Sequence, residues 1–177
     1  MGERSLGQAS APVTCGEYFS LTCSHCAAFH KDVMPQVKKE LIETGKLRMT
    51  FHNFPLNQLD LTASAVARAL PAERFESFCA ALLASQDRWA FARGIDNIAE
   101  LWKYAALAGL PRAAFDAAVA DNDLKKAILE AQDRDAKAYG ISSTPSFVFN
   151  GPGAKNRLEA GGRSFADFAA AVAKAAG

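Results

Sequence analysis

From about Gln58 to Tyr139 the sequence contains no convincing strand. It is rich in Ala and Leu. Pro71, Gly94, Gly109-Leu110-Pro111 and Asp121-Asn122-Asp123 divide it into helices expected near 58–70, 72–85, 95–108, 112–120 and 122–138. A connection of that length without structure of its own is implausible inside a compact domain, so the stretch reads as a helical insertion. No fixed repeat period runs through it. The segments on either side must therefore build one unit together, interrupted by 58–139.

The first flank, 11–57, reads as strand, helix, strand. Ala11 to Ser20 is strand-like, with Val13, Cys15, Tyr18 and Phe19 as apolar mass and Gly16 as an expected interruption. A helix from about Cys23 to Glu43 follows from the spacing of Phe29, Val33, Val37 and Leu41. Pro35 inside it should kink or split it, and Gly45 should stop it. Leu47 to His52 alternates apolar and polar residues, and Asn53-Phe54-Pro55 ends this second strand. A helical crossover between two strands favours parallel pairing. The second flank, 140–177, reads as β-β-α. Ser146 to Phe149 is followed by the Asn150-Gly151 turn, and Arg157 to Ala160 is a last strand. Ser164 then caps a helix with Phe165, Phe168 and Val172 inward. The fold class is α/β.

Half of the residues are hydrophobic and 22% are charged, which permits a real core. The formal net charge is +1 and no long basic run occurs, so there is no electrostatic footprint for nucleic acid. The polar stretch Met1 to Gln8 lacks the apolar core of an export signal. Four cysteines are too few for a disulfide-stapled scaffold of 177 residues.

Cys23-Ser24-His25-Cys26 sits at the junction of the first strand and the first helix. Two cysteines three positions apart at a helix start share a face, with Cα atoms about 5 to 5.5 Å apart, within reach of a disulfide. The N–H groups and partial positive charge of that helix start stabilise a thiolate. Cys23, nearer the helix end, should be the attacking thiol. Cys26, one turn in, should be more buried and should resolve a mixed disulfide. A protonated His25 would add positive charge beside the Cys23 thiolate. The alternative, a zinc half-site, lacks a second ligand pair, since Cys15, His30, His52 and Cys79 are scattered.

Other residues read more plainly. Thr144-Pro145 precedes a strand and could leave its backbone free for an extended peptide, although a trans bond is the ordinary expectation. Glu17, if buried, could carry the Cys26 proton. Taken alone, it reads as an exposed strand carboxylate. His30 shares the Cys26 face of the helix, but both it and His52 read as surface histidines. Cys15 and Cys79 read as small buried apolar residues, pairing only if the fold brings strand and insertion together.

Glu17 through Cys26, the alanine-rich helical block and Ile141-Ser142-Ser143-Thr144-Pro145 together resemble DsbA-type thiol:disulfide oxidoreductases. The resemblance implies a thioredoxin fold in two parts, 11–57 and 140–177, around a helical insertion domain, 58–139. It implies Cys23 as nucleophile and Cys26 as resolving cysteine, with Ser24 and His25 between them tuning the pair. Pro145 becomes a cis-proline facing the disulfide and Thr144 its substrate-binding neighbour. Glu17 falls where the family has its buried acid, which reverses the reading made from the residue alone. No cofactor is required. The expected partners are reduced substrate proteins and a quinone-linked membrane reoxidase, the expected location is the periplasm, and the expected state is a monomer. Ser24 departs from the proline many relatives carry, and Cys15-Gly16 replaces the usual pair of large apolar residues. The rival functions are a disulfide isomerase or reductase of the same superfamily, or a non-catalytic thiol or zinc-binding module. A kappa-type glutathione transferase shares the insertion but uses a serine.

Overall fold

The computed structural model describes residues 1–177. Strands β1 (Ser5–Leu6), β2 (Val13–Phe19), β3 (Leu47–Asn53), β4 (Ser146–Gly151) and β5 (Ala154–Ala160) form one sheet in the order β1-β3-β2-β4-β5. β2 and β3 are parallel, with Glu17 opposite Phe51; β2 and β4 are antiparallel, with Glu17 opposite Phe147. The two flanks thus meet at β2, which carries pairs from both sides of the insertion. β1 is not among the strands that the sequence pattern predicts. It is too short to show a period and is held by antiparallel pairing of Ser5 with Thr50 and Leu6 with Met49.

β2 leads into α1 (Ser24–Asp32), which breaks at Val33 before α2 (Met34–Val37) and a π-helical turn, Lys38–Ile42. Pro35 lies in the first turn of α2, where its missing N–H costs nothing. The split expected at Pro35 is therefore present, with the break at Val33 and three pieces instead of two. Gly16 does not interrupt β2: it pairs on both sides, and the space a side chain would take is filled by the rings of Tyr18 and His52.

The insertion holds α3 (Gln58–Ala69), α4 (Ala72–Leu83), α5 (Gln86–Trp89), α6 (Asn97–Leu107), α7 (Arg112–Ala120) and α8 (Asn122–Tyr139). The four-residue α5 is too short for periodicity to reveal. Asn57, Asp96 and Asp121 cap α3, α6 and α8 with their side-chain oxygens. α9 (Phe165–Ala176) closes the chain, capped by Ser164 as expected.

Period two along the strands sorts the sheet faces. Cys15, Glu17 and Phe19 of β2 point the same way as Met49, Phe51, Phe147 and Phe149, and all are buried. α1 and α9 pack on this face through Phe29, Phe147 and Phe168, whose ring centroids lie 4.7 to 5.6 Å apart. The core continues without a break into the insertion, where Trp89 is fully buried. On the other face Tyr18, Phe54, Ile141 and Val148 form a small cluster against α8.

Candidate active site

Cys23 is the N-cap of α1, with extended backbone and no side-chain cap of the usual kind. Its sulfur occupies the place a capping oxygen would take, so the free N–H groups of the first turn face a thiol. Cys26 is one turn along. Cys23 retains 9% exposure, Cys26 none. All four cysteines are free thiols, so Cys15 and Cys79, each fully enclosed in the core, do not pair. Burial, reinforced by the Glu17 charge at Cys15 and by the Glu76 charge at Cys79, pushes both of these thiols well above the usual range.

The two active-site thiols are driven apart. Cys23 is lowered to about 4, chiefly because the Cys26 thiol donates a hydrogen bond to its sulfur. Burial opposes this, and Thr144 and the backbone N–H groups of Cys26 and His25 reinforce it. Cys26 is raised by the same bond, seen from the donor, by burial and by the Glu17 charge. His25 therefore acts on Cys23 through its backbone; its imidazole is exposed to solvent, as is Ser24.

The Thr144–Pro145 peptide bond is cis, contrary to the expectation from the residues alone and in agreement with the resemblance. Cys23 Sγ lies 3.4 Å from the Thr144 carbonyl oxygen, to which the thiol donates. The Thr144 hydroxyl is buried and has no other partner, which leaves it free to donate to the thiolate.

Glu17 is fully buried on β2, facing α1. His30, expected at the surface, is 8% exposed, and its Nε2–H donates to Glu17 Oε1 at 2.9 Å and Oε2 at 3.1 Å. Burial works to lower the His30 pKa, but the charge and hydrogen bonds of Glu17 outweigh it and the net shift is upward. His52 is half-buried rather than a free surface residue: it stacks on Tyr18 at 4.5 Å and lies 3.7 Å from Asp135. No cluster of three or more His, Cys, Asp or Glu side chains is placed to hold a metal ion.

Two residues that the sequence did not single out anchor the loop before Cys23. Asp60 of α3 is buried and accepts hydrogen bonds from Ser20 Oγ (2.5 Å), Leu21 N–H (3.1 Å) and Leu56 N–H (2.9 Å). Gln86, at the start of α5, donates to the carbonyls of Leu21 (2.8 Å) and Cys23 (3.0 Å). The insertion thus sets the loop that presents the thiols. Nothing local marks either residue, since a polar side chain between or within amphipathic helices is too common to single out. Gln86→Leu removes both bonds and leaves the Leu21 carbonyl without a partner, while the Cys23 carbonyl keeps its bond from Ala27 N–H, so it should cost about 1–3 kcal/mol. Thermal denaturation measures that loss, and a titration of the thiolate absorbance should show Cys23 ionising at higher pH than in the parent.

A thioredoxin-type sheet interrupted by a helical insertion, with paired cysteines at the start of α1 and a cis-proline beside them, defines the DsbA-like class of oxidoreductase folds. The chain belongs to the thioredoxin family, whose profile matches residues 1–163. It superposes on the crystal structure of alpha-DsbA1 from Wolbachia pipientis with a TM-score of 0.89 at 28% identity, covering 98% of this chain and 90% of that one. A protein-disulfide isomerase from Novosphingobium aromaticivorans, 23% identical with a TM-score of 0.78, shares the fold over 97% of each chain. Among sequences, it is 30% identical over 152 residues to a Rickettsia prowazekii (strain Madrid E) protein named "putative protein-disulfide oxidoreductase". That match covers 85% of this chain and 55% of the relative, so the chain spans little more than half the relative's length.

Proposed function

We propose that this chain is a protein thiol:disulfide oxidoreductase that donates a Cys23–Cys26 disulfide to reduced protein substrates. The observation that carries this reading is the geometry of the pair: Cys23 caps α1 with its sulfur 3.4 Å from the Thr144 carbonyl oxygen beside the cis-Pro145, and Cys26 is buried one turn further in. A substrate thiolate attacks Cys23 Sγ and forms a mixed disulfide, while the electron pair of the old S–S bond passes to Cys26. A second substrate thiolate then attacks the substrate sulfur, forms the substrate disulfide and releases Cys23 as a thiolate. Because that thiolate is a stable leaving group, the reaction runs towards oxidised substrate. Thr144 and Pro145 line the approach to Cys23 and offer backbone to an extended substrate. Glu17 is assigned to carry the Cys26 proton during exchange, and Ser24 and His25 complete the first turn. The role agrees with the name of the Rickettsia relative and with the likeness to alpha-DsbA1. We further propose, as the resemblance of its motifs to DsbA-type oxidoreductases implies, a periplasmic location, a monomeric state and reoxidation by a quinone-linked membrane partner.

The test combines activity with selectivity. Oxidised protein should oxidise a dithiol peptide stoichiometrically. In the reduced protein, iodoacetamide should label Cys23 well below neutral pH, with a midpoint near pH 4, while Cys26 stays unlabelled. Equal labelling of the two, or a Cys23 midpoint near the free value of about 8.5, would sink the assignment.

A further inference from the structure

Five arginines are partly buried, and three of them meet a carboxylate: Arg48 meets Glu3, and Arg157 and Arg163 share Glu159. Arg4 and Arg68 have only carbonyl and amide oxygens as partners. Arg68, near the end of α3, donates from Nε to Asn53 Oδ1 at 2.7 Å, and from its Nη atoms to the Gly2 and Phe51 carbonyls at 2.9 and 3.2 Å. Arg4 donates to the carbonyls of Arg68 and Leu70 at 3.0 and 3.1 Å, and to the Glu3 carbonyl at 3.3 Å. Both guanidinium groups lie over the ring of Phe75, Arg4 at 5.5 Å and Arg68 at 5.1 Å from its centroid. Carbonyls solvate two like charges but do not neutralise them. Burial, with the Arg4 charge behind it, lowers the Arg68 pKa to about 10.

Arg4 and Arg68 both line a cavity of about 210 Å³ bounded by the segment before β1, by β3, by α3 and by α8. Pockets for drug-sized ligands run to about 300–1,000 Å³, so this one takes something smaller. The two carboxylates on its wall are committed elsewhere: Glu3 to Arg48, and Asp135 to Arg134 Nε at 3.0 Å, with His52 Nδ1 at 3.7 Å. Burial holds His52 below its usual pKa despite Asp135, so it adds no charge at neutral pH. Of the eight buried side-chain polar atoms in the chain without a hydrogen-bond partner, three belong to residues on this wall: Arg4 Nε, Asn53 Nδ2 and Gln132 Oε1. Asn53 is 6% exposed, and Arg68 holds its Oδ1, which leaves its amide nitrogen as the free end. Gln132 is fixed the other way, since its Nε2 donates to the Pro55 carbonyl at 3.3 Å and its oxygen is left over. The wall therefore offers two cations without a counter-charge, unpaired N–H donors and one unpaired acceptor. We propose that this cavity is a binding site for monohydrogen phosphate. That ion carries two negative charges to match the two guanidinium groups, oxygens that accept from Asn53 and the arginines, and one O–H that donates to Gln132 Oε1. Sulfate has the same charge and shape but no O–H to donate.

The test is a titration of the whole protein with sodium phosphate at mildly alkaline pH, where the doubly charged ion predominates, followed by proton–nitrogen NMR. Sodium sulfate and sodium chloride at matched ionic strength are run beside it. Phosphate should shift the side-chain N–H signals of Asn53 and Arg68 along a saturable curve, and chloride should shift neither. Sulfate should bind roughly tenfold more weakly, the cost of facing the Gln132 oxygen without a donor. At about twenty times its Kd, phosphate should raise the Tm by roughly 4–7 °C over the chloride control. Arg68→Met keeps an apolar stem against Phe75 and loses the charge, so phosphate should bind it at least about tenfold more weakly. Gln132→Met should bring phosphate down to the affinity of sulfate, and it reads out the site if the Arg68 variant does not fold. Signals that stay in place, or that move equally in chloride, overturn the site. So does a folded Arg68→Met that binds as tightly as the parent. Sulfate binding the parent as tightly as phosphate, or a Gln132→Met that keeps the preference for phosphate, overturns monohydrogen phosphate as the ligand.

Discussion

Cys23→Ser should eliminate exchange with protein and peptide thiols, whereas Cys26→Ala should still react once and remain bound to its substrate. The reason is the division of labour between the two positions. Cys23 is the only thiol of the four that combines exposure with a stabilised thiolate; Cys15, Cys26 and Cys79 are buried and raised. Serine has no comparable acidity and cannot form the mixed disulfide, so activity should fall to the uncatalysed level. With Cys26 removed, a mixed disulfide at Cys23 has no neighbouring thiol to resolve it. Non-reducing electrophoresis and mass spectrometry of Cys26→Ala incubated with a mixed-disulfide substrate should show a covalent adduct that dithiothreitol releases. An adduct forming equally well on Cys23→Ser would assign the chemistry to another cysteine.

The reduced protein should melt at a higher temperature than the oxidised one. A disulfide closing a loop as short as Cys23 to Cys26 restrains the unfolded chain only slightly. The reduced form gains more, because folding lowers the Cys23 pKa to about 4. A depressed folded-state value stabilises the folded state when the group is ionised. The contribution is complete above the unfolded thiol value, partial at pH 7, and lost as pH falls through about 4. At pH 7, discounted for solvent screening at a sulfur that is only partly buried, it is on the order of 1–2 kcal/mol, which for a chain of this size corresponds to a difference in Tm of roughly 2–8 °C. Calorimetry of both forms at pH 7 and pH 4 measures it. The gap should shrink towards the lower pH, and a more stable oxidised form at pH 7 would mean that the thiolate is not stabilised as described.

Much of the fold is legible in the chain because its signals are local. β3 alternates buried and half-buried residues along Leu47–Asn53, as its pattern requires, and α7 spans Arg112–Ala120 as its punctuation suggests. Pro35 and Ser164 act where their chemistry places them. The misses share a cause. β1 and α5 are too short to carry a period, and Gly16 stays in strand because neighbouring strands pair with it on both sides. His30 was misplaced for a related reason: helical spacing puts it on the Cys26 face, but nothing local says that α4 covers that face. Asp60 and Gln86 illustrate the same limit, being polar residues far from Cys23 in sequence that bond to the loop carrying it.

Short-range spacing is enough to put two thiols one turn apart at a helix start, after a strand and before a parallel partner. It rests on backbone periodicity, which needs no knowledge of distant contacts. How different those thiols are follows from contacts that form only when the chain folds. Burial of Cys26, the approach of Thr144, and the enclosure of Glu17 with His30 all depend on segments brought together across the insertion. A pKa depends on which charges and donors surround a group and on how far water is kept from it, and those distances exist only once the chain has folded.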